Sequence, residues 1–169
     1  MSTKKQNIFK ILFVCSGNIC RSPMAEGILK KKLPDELQSQ VQVISAGTLG
    51  IWGSAPSKEA IQAAQEIGVD ISSHRSQGLS AELVKNAHII LVMAENHLHH
   101  MLDTFPGCEG KVFLLKAFEN KLNEDEVVSI PDPIGLSIEV YRNILRTIDA
   151  HIDRLLPKLD QIIKKYSRI

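Results

Sequence analysis

The chain carries almost no net charge: 20 Lys and Arg stand against 19 Asp and Glu over 169 residues, a formal balance of +1. That balance gives no electrostatic reason to expect nucleic acid or an acidic membrane surface as a partner. Cysteine is equally sparse. Three thiols, an odd number without repeated spacing, make no disulfide framework and fit a reducing compartment. No apolar run approaches the roughly 20 residues that a helix needs to cross a bilayer. Lys4 and Lys5, followed by apolar residues up to Cys15, have the look of an export signal, but the stretch is short and broken by Lys10, so it reads as a buried strand. Repeats, linkers and low-complexity tracts are missing too. These absences point to one cytoplasmic domain spanning residues 1–169, and 44% hydrophobic content is ample for its core.

What is present alternates between strand and helix signals. Residues 8–14 have strand length and β-branched or aromatic content, residues 40–46 and 88–93 read as further strands, and residues 111–115 as a fourth. Helices are expected from Ser22 to about Leu33, from Ser57 to Ile67 with Gly68 closing it, over a short stretch capped by Ser80, and from Glu95 to about Phe105. A last helix starts near Ser137. Its apolar residues recur in steps of three and four from Ile138 to Ile162, and Pro157 is expected to kink or end it. Residues 120–128, acidic and turn-rich, read as an exposed loop. The pattern predicts an α/β three-layer sandwich, a four-stranded parallel sheet with helices on both faces and the site at the carboxyl ends of the strands.

One short loop at such an end carries the chemistry. Cys15-Ser16-Gly17-Asn18-Ile19-Cys20-Arg21 puts a thiol and a guanidinium at its two ends, between the first strand and a helix opened by Ser22 and Pro23. Backbone N–H groups there converge on an anion. A helix N-terminus beside a fixed positive charge stabilises a thiolate, so a cysteine in this place is expected to react as one. Arg21 offers a planar fork of donors that matches two phosphoryl oxygens. Gly17 supplies backbone freedom, and Asn18 tolerates the left-handed conformation that such loops use.

Residues 14–23, Val-Cys-Ser-Gly-Asn-Ile-Cys-Arg-Ser-Pro, closely resemble the signature of the low-molecular-weight protein tyrosine phosphatases, and the resemblance extends along nearly the whole chain. It implies a phosphorylated protein as substrate, no cofactor, and hydrolysis through a phosphocysteine. In that scheme Cys15 is the nucleophile, Arg21 binds the equatorial oxygens, and Asn18 and Ser22 hold the loop and support the thiolate. Ser16, Gly17, Ile19 and Cys20 complete the phosphate cradle. His74 resembles the family histidine that bonds to the loop asparagine. Asp132, in Pro131-Asp132-Pro133, takes the place of the general acid; read from its residues alone, the segment is equally a stiff turn. The resemblance also implies a reversible Cys15–Cys20 disulfide that protects the nucleophile, against the plain reading of Cys20 as a small buried residue. Cys108 lies in a turn and is expected to have no chemical role.

The pattern departs from the eukaryotic type where an aromatic pair would follow Asp-Pro: Ile134 and Gly135 stand there. That resembles bacterial members, some of which remove phosphate from arginine. In those the position of Ile19 is a threonine; an apolar Ile19 suits an aryl ester better than a guanidinium. Trp52, between two glycines, is either a core tryptophan or part of the substrate-recognition loop, and the flanking glycines favour the loop. Phosphotyrosine is therefore the expected substrate, with phosphoarginine as the alternative. Arsenate reduction would need a closely spaced cysteine pair beyond the loop, and a non-catalytic phosphopeptide binder would gain nothing from Asp132. His97, His99 and His100 with Cys15 and Cys20 could suggest a metal, but no acidic partner is spaced to complete a site and Arg21 would repel a cation. A solvated helix face is expected for the histidines, no metal, and a monomer or weak homodimer.

Overall fold

The computed structural model describes residues 7–118, 123 and 125–167. Strand β1 (Phe9–Cys15) lies inside a four-stranded sheet, flanked by β2 (Val41–Gly47) and β3 (Ile89–Val92), with β4 (Val112–Leu114) beyond β3. Every pairing is parallel. Successive side chains of β1 go to opposite faces, as the pleat requires. Ile11, Phe13 and Cys15 join one buried cluster with α1 (Arg21–Lys32), α3 (Lys58–Glu66) and the long α6 (Ile138–Tyr166). Leu12 and Val14 join the other, under α4 (Ala81–Asn86) and α5 (Glu95–Thr104). The result is the three-layer sandwich that the alternating pattern predicts, and it leaves the carboxyl end of β1 opening into the Cys15 loop.

Several local expectations need correction. The first helix begins at Arg21, with Cys20 rather than Ser22 at its N-cap and no side-chain cap. Ser22 is withdrawn because its hydroxyl serves the loop, as described below. A one-turn helix, α2 (Asp35–Gln38), follows Pro34 and has too few residues to show a period. Helix α6 runs unbroken through Pro157 to Tyr166. A helical proline costs about 3 kcal/mol. Beyond it, however, Leu159 and Ile163 are fully buried, each contributing roughly 1.5–3 kcal/mol, and Tyr166 sets its ring edge-on to Phe9. Burial on both sides of Pro157 therefore outweighs the lost backbone bond. The apolar stripe of α6 packs chiefly against α1 and α3 in its own layer. Of the acidic loop, residues 120–122 and 124 lie outside the described residues, as do Lys4 and Lys5; Asn123 and residues 125–127 are exposed.

Candidate active site

Cys15 ends β1 almost fully buried, and the chain then turns through Ser16 to Cys20 into α1. Two donors address its sulfur: the Asn18 backbone N–H at 3.3 Å and the Ser22 hydroxyl at 2.9 Å. Asn18 Nδ2 donates to the same Ser22 oxygen at 2.8 Å, so the serine proton is free to point at sulfur, where it stabilises a thiolate. Asn18 is the hinge of the loop, with φ +57. Its second amide hydrogen goes to Ser45 Oγ at 2.9 Å, its Oδ1 accepts from Gln77 N at 2.9 Å, and its carbonyl accepts from His74 Nε2 at 3.0 Å. Ser45 in turn donates to Glu26, whose other oxygen pairs with Lys30. Every polar group of this buried side chain is thus satisfied, which holds the left-handed conformation in place. Gly17 is not in the left-handed region; the glycine that the loop demands is Gly47, where a Cβ would meet the Ser16 carbonyl at 2.5 Å.

Arg21 is 4% exposed. Its Nη1 donates to the Ile130 carbonyl at 2.9 Å and its Nη2 reaches Ser16 Oγ and Asp132 Oδ2, each at 3.4 Å. Its Nε is buried without a hydrogen-bond partner among the described residues. Ile130 is itself pinned to the end of β3 by its N–H to the Met93 carbonyl at 2.8 Å. The Asp-Pro segment therefore leaves the sheet at a fixed point. Asp132, half-exposed, accepts from the Ile134 N–H at 3.2 Å, a turn closed by its own side chain. Cys15, Arg21 and Asp132 line one cleft of about 150 Å³, whose apolar walls are Ile19, Leu49, Ile51 and Ile134. Larger hollows lie along the β2 edge and beside Cys108, and neither holds an anion-binding loop.

A thiol under two donors, a guanidinium and a carboxyl on one cleft are the parts of a phosphoryl-transfer site. Residues 10–166 match the family model described as low molecular weight phosphotyrosine protein phosphatase. The chain belongs to this family. A low-molecular-weight protein-tyrosine-phosphatase of Acinetobacter johnsonii is 42% identical over 123 residues, 73% of this chain and 78% of that one. A protein-arginine-phosphatase of Geobacillus stearothermophilus is 40% identical over 152 residues, 89% and 96% of the two chains. The solved YwlE arginine phosphatase of Geobacillus stearothermophilus superposes with a TM-score of 0.80 at 37% identity, covering 93% of this chain and 96% of its own. This phosphatase is accordingly a cysteine-dependent hydrolase acting on phosphorylated protein.

The structure puts His74 on the loop and Cys20 beside α6, leaves Trp52 outside the cleft lining, and buries His97. His74 bonds the loop asparagine through its backbone carbonyl, and its Nδ1 lies 3.7 Å from Glu26. Cys20 turns its thiol to Tyr141 Oη at 3.3 Å and Ser57 Oγ at 3.4 Å; burial pushes that thiol's pKa up, and all three cysteines are free. Trp52 is expected to belong to the substrate-recognition loop. It is 66% exposed and leans on Gly78, where a Cβ would meet its indole nitrogen at 3.1 Å; Ile51, not Trp52, lines the cleft. For His97 the expected solvated helix face is overturned. The residue is fully buried and its Nε2 lies 2.8 Å from Ser16 Oγ. Burial first, then the Arg21 charge, push its pKa down to about 4. The spacing of His97 four residues before the buried Met101 is the signal that could have placed it inward. Among the described residues no group of His, Cys, Asp and Glu is placed to hold a metal.

Proposed function

We propose that this phosphatase acts as a single domain on protein phosphotyrosine in the cytoplasm, through a phosphocysteine. The observation that carries the reading is the Cys15 sulfur, addressed by the Asn18 amide and the Ser22 hydroxyl in the cleft that Arg21 and Asp132 also line. The Cys15 thiolate attacks phosphorus; the S–P bond forms as the ester P–O bond breaks. Arg21 and the loop amides hold the equatorial oxygens, while the Asp132 carboxyl gives its proton to the leaving oxygen. In the second step Asp132, now a carboxylate, takes a proton from water as that water's oxygen attacks phosphorus. Phosphate leaves with its oxygen and the thiolate is restored. Ser16, Gly17, Ile19 and Cys20 complete the cradle; Asn18, Ser22 and His74 hold its shape. No cofactor or metal takes part, and the protein works as a monomer or weak homodimer, with neither nucleic acid nor membrane as a partner.

The walls favour the aryl ester. Ile19, Leu49, Ile51 and Ile134 offer contact area to a ring and no hydroxyl to a guanidinium. The 40% identity to an arginine phosphatase, over a span that covers most of both chains, supports the second reading. Hydrolysis of phosphotyrosine and phosphoarginine peptides by the purified protein, with Cys15→Ser as the blank, separates the two: faster turnover of phosphotyrosine is expected, and the reverse order assigns the arginine substrate. We also place Cys20 as a disulfide partner for oxidised Cys15. Mass spectrometry after mild peroxide should find that bridge, and sulfinic acid at Cys15 without it removes the role.

A further inference from the structure

His97 is a fully buried, titratable side chain for which the reaction above has no use. It sits in the first turn of α5, and its two ring nitrogens have different surroundings. Nε2 faces Ser16 Oγ at 2.8 Å; Nδ1 is buried with no hydrogen-bond partner among the described residues. A neutral imidazole carries one proton, on one nitrogen or the other. If it were on Nδ1, the structure would bury an N–H with nothing to receive it, which folded proteins avoid more strictly than a bare acceptor. With the proton on Nε2, His97 donates to Ser16.

The consequence reaches the phosphate cradle. Ser16 Oγ also stands 3.4 Å from Arg21 Nη2, which can only donate. The serine oxygen has two lone pairs, and with His97 and Arg21 on them its own proton has to point elsewhere. Ser16 lines the cleft with Cys15 and Arg21, and a phosphoryl oxygen bound in that cleft is the acceptor this proton would meet.

We propose that His97 is a positioning residue of this phosphatase: by donating from Nε2 to Ser16 Oγ, it turns the Ser16 hydroxyl into a donor to the transferring phosphoryl group and steadies Arg21 Nη2 beside it. His97 touches neither substrate nor sulfur and acts through Ser16. The inference rests on the placing of Cys15 and Arg21 in the reaction, which Cys15→Ser tests separately.

The tautomer can be read without any substitution. Long-range 1H–15N correlation NMR on the full, 15N-labelled chain near neutral pH should show His97 protonated at Nε2 and bare at Nδ1; the opposite tautomer overturns the proposal whatever the enzyme's activity. Kinetics supply the second measurement, with p-nitrophenyl phosphate as the probe. His97→Leu, which removes the donor, should lower kcat/KM about tenfold, and His97→Gln, whose amide donates from a similar reach, should recover most of it. In a Ser16→Ala background the leucine change should cost less than about twofold, because the hydroxyl it acts through is gone. A full tenfold loss in that background, or no loss in the wild-type background, rejects the positioning role. Should the leucine variant not fold, the tautomer and the glutamine variant decide the matter, and a folded glutamine variant as slow as Ser16→Ala counts against it.

Discussion

Arg21 Nη2 stands 3.4 Å from Asp132 Oδ2, a buried guanidinium on α1 touching a half-exposed carboxyl on the Pro-bounded turn after β4. The contact explains how a residue from a late loop is aimed at the first loop of the chain. Ile130, one step before Pro131, is held at once by Arg21 Nη1 and by the end of β3. In the mechanism proposed above, a phosphoryl group takes Nη2 from Asp132 while Nη1 keeps its hold on Ile130, and the carboxyl is left for the leaving oxygen.

Asp132→Asn should therefore discriminate between leaving groups. General acid help contributes about 10²–10⁴-fold where the leaving oxygen needs a proton. Phenyl phosphate should lose on the order of 10²-fold in kcat/KM and p-nitrophenyl phosphate far less. Equal losses for the two esters would take Asp132 out of the acid's place.

Ser22→Ala removes the hydroxyl 2.9 Å from sulfur and orphans one hydrogen of the Asn18 amide. Hydrogen bonds to a charged acceptor contribute about 1.5–3 kcal/mol. Alkylation of Cys15 by iodoacetate at slightly acid pH should slow by roughly tenfold or more. An unchanged rate would mean that sulfur draws its support from the loop amides alone.

At Asn18 two substitutions separate conformation from hydrogen bonding. Asn18→Gly and Asn18→Ala lose the same side-chain bonds, but only alanine also meets the penalty of φ +57. Urea titration should find the alanine variant less stable than the glycine variant by about 1 kcal/mol.

The burial of His97 makes stability depend on pH. Its folded pKa, pushed down to about 4, lies below the ordinary value near 6.5. Between those values the unfolded chain takes a proton that the folded chain refuses, so stability falls as pH drops through the window. Above 6.5 the contribution to the slope vanishes. From pH 7 to 4.5 this group should remove about 2–3 kcal/mol, visible as a steeper loss for wild type than for His97→Gln in urea titrations at the two pH values.

Substrate contact should follow the cleft walls rather than the lone tryptophan. Ile51→Ala should raise KM for p-nitrophenyl phosphate by about three- to tenfold, and Trp52→Ala by less. A larger effect at Trp52 would show that the indole swings over the substrate.

The sequence by itself determined the layer order, the four strands and the Cys15–Arg21 loop, because period, caps and turn residues are local and short-range sterics act on neighbours in the chain. Ser57 and Ser80 cap their helices as their positions imply, and β1 alternates between two cores as its pattern requires. Only the tertiary structure decided that Ser22 serves sulfur instead of capping a helix, that α6 survives Pro157, that Gly47 rather than Gly17 makes room for the loop, and that His97 faces inward to Ser16. Each of these depends on what a distant segment places beside the residue. A hydroxyl goes where a buried partner needs it, a helix tolerates a proline when packing beyond it outweighs the lost bond, and an imidazole is buried where another loop supplies its partner. Such balances are struck between atoms that the fold brings together, and no local pattern carries them.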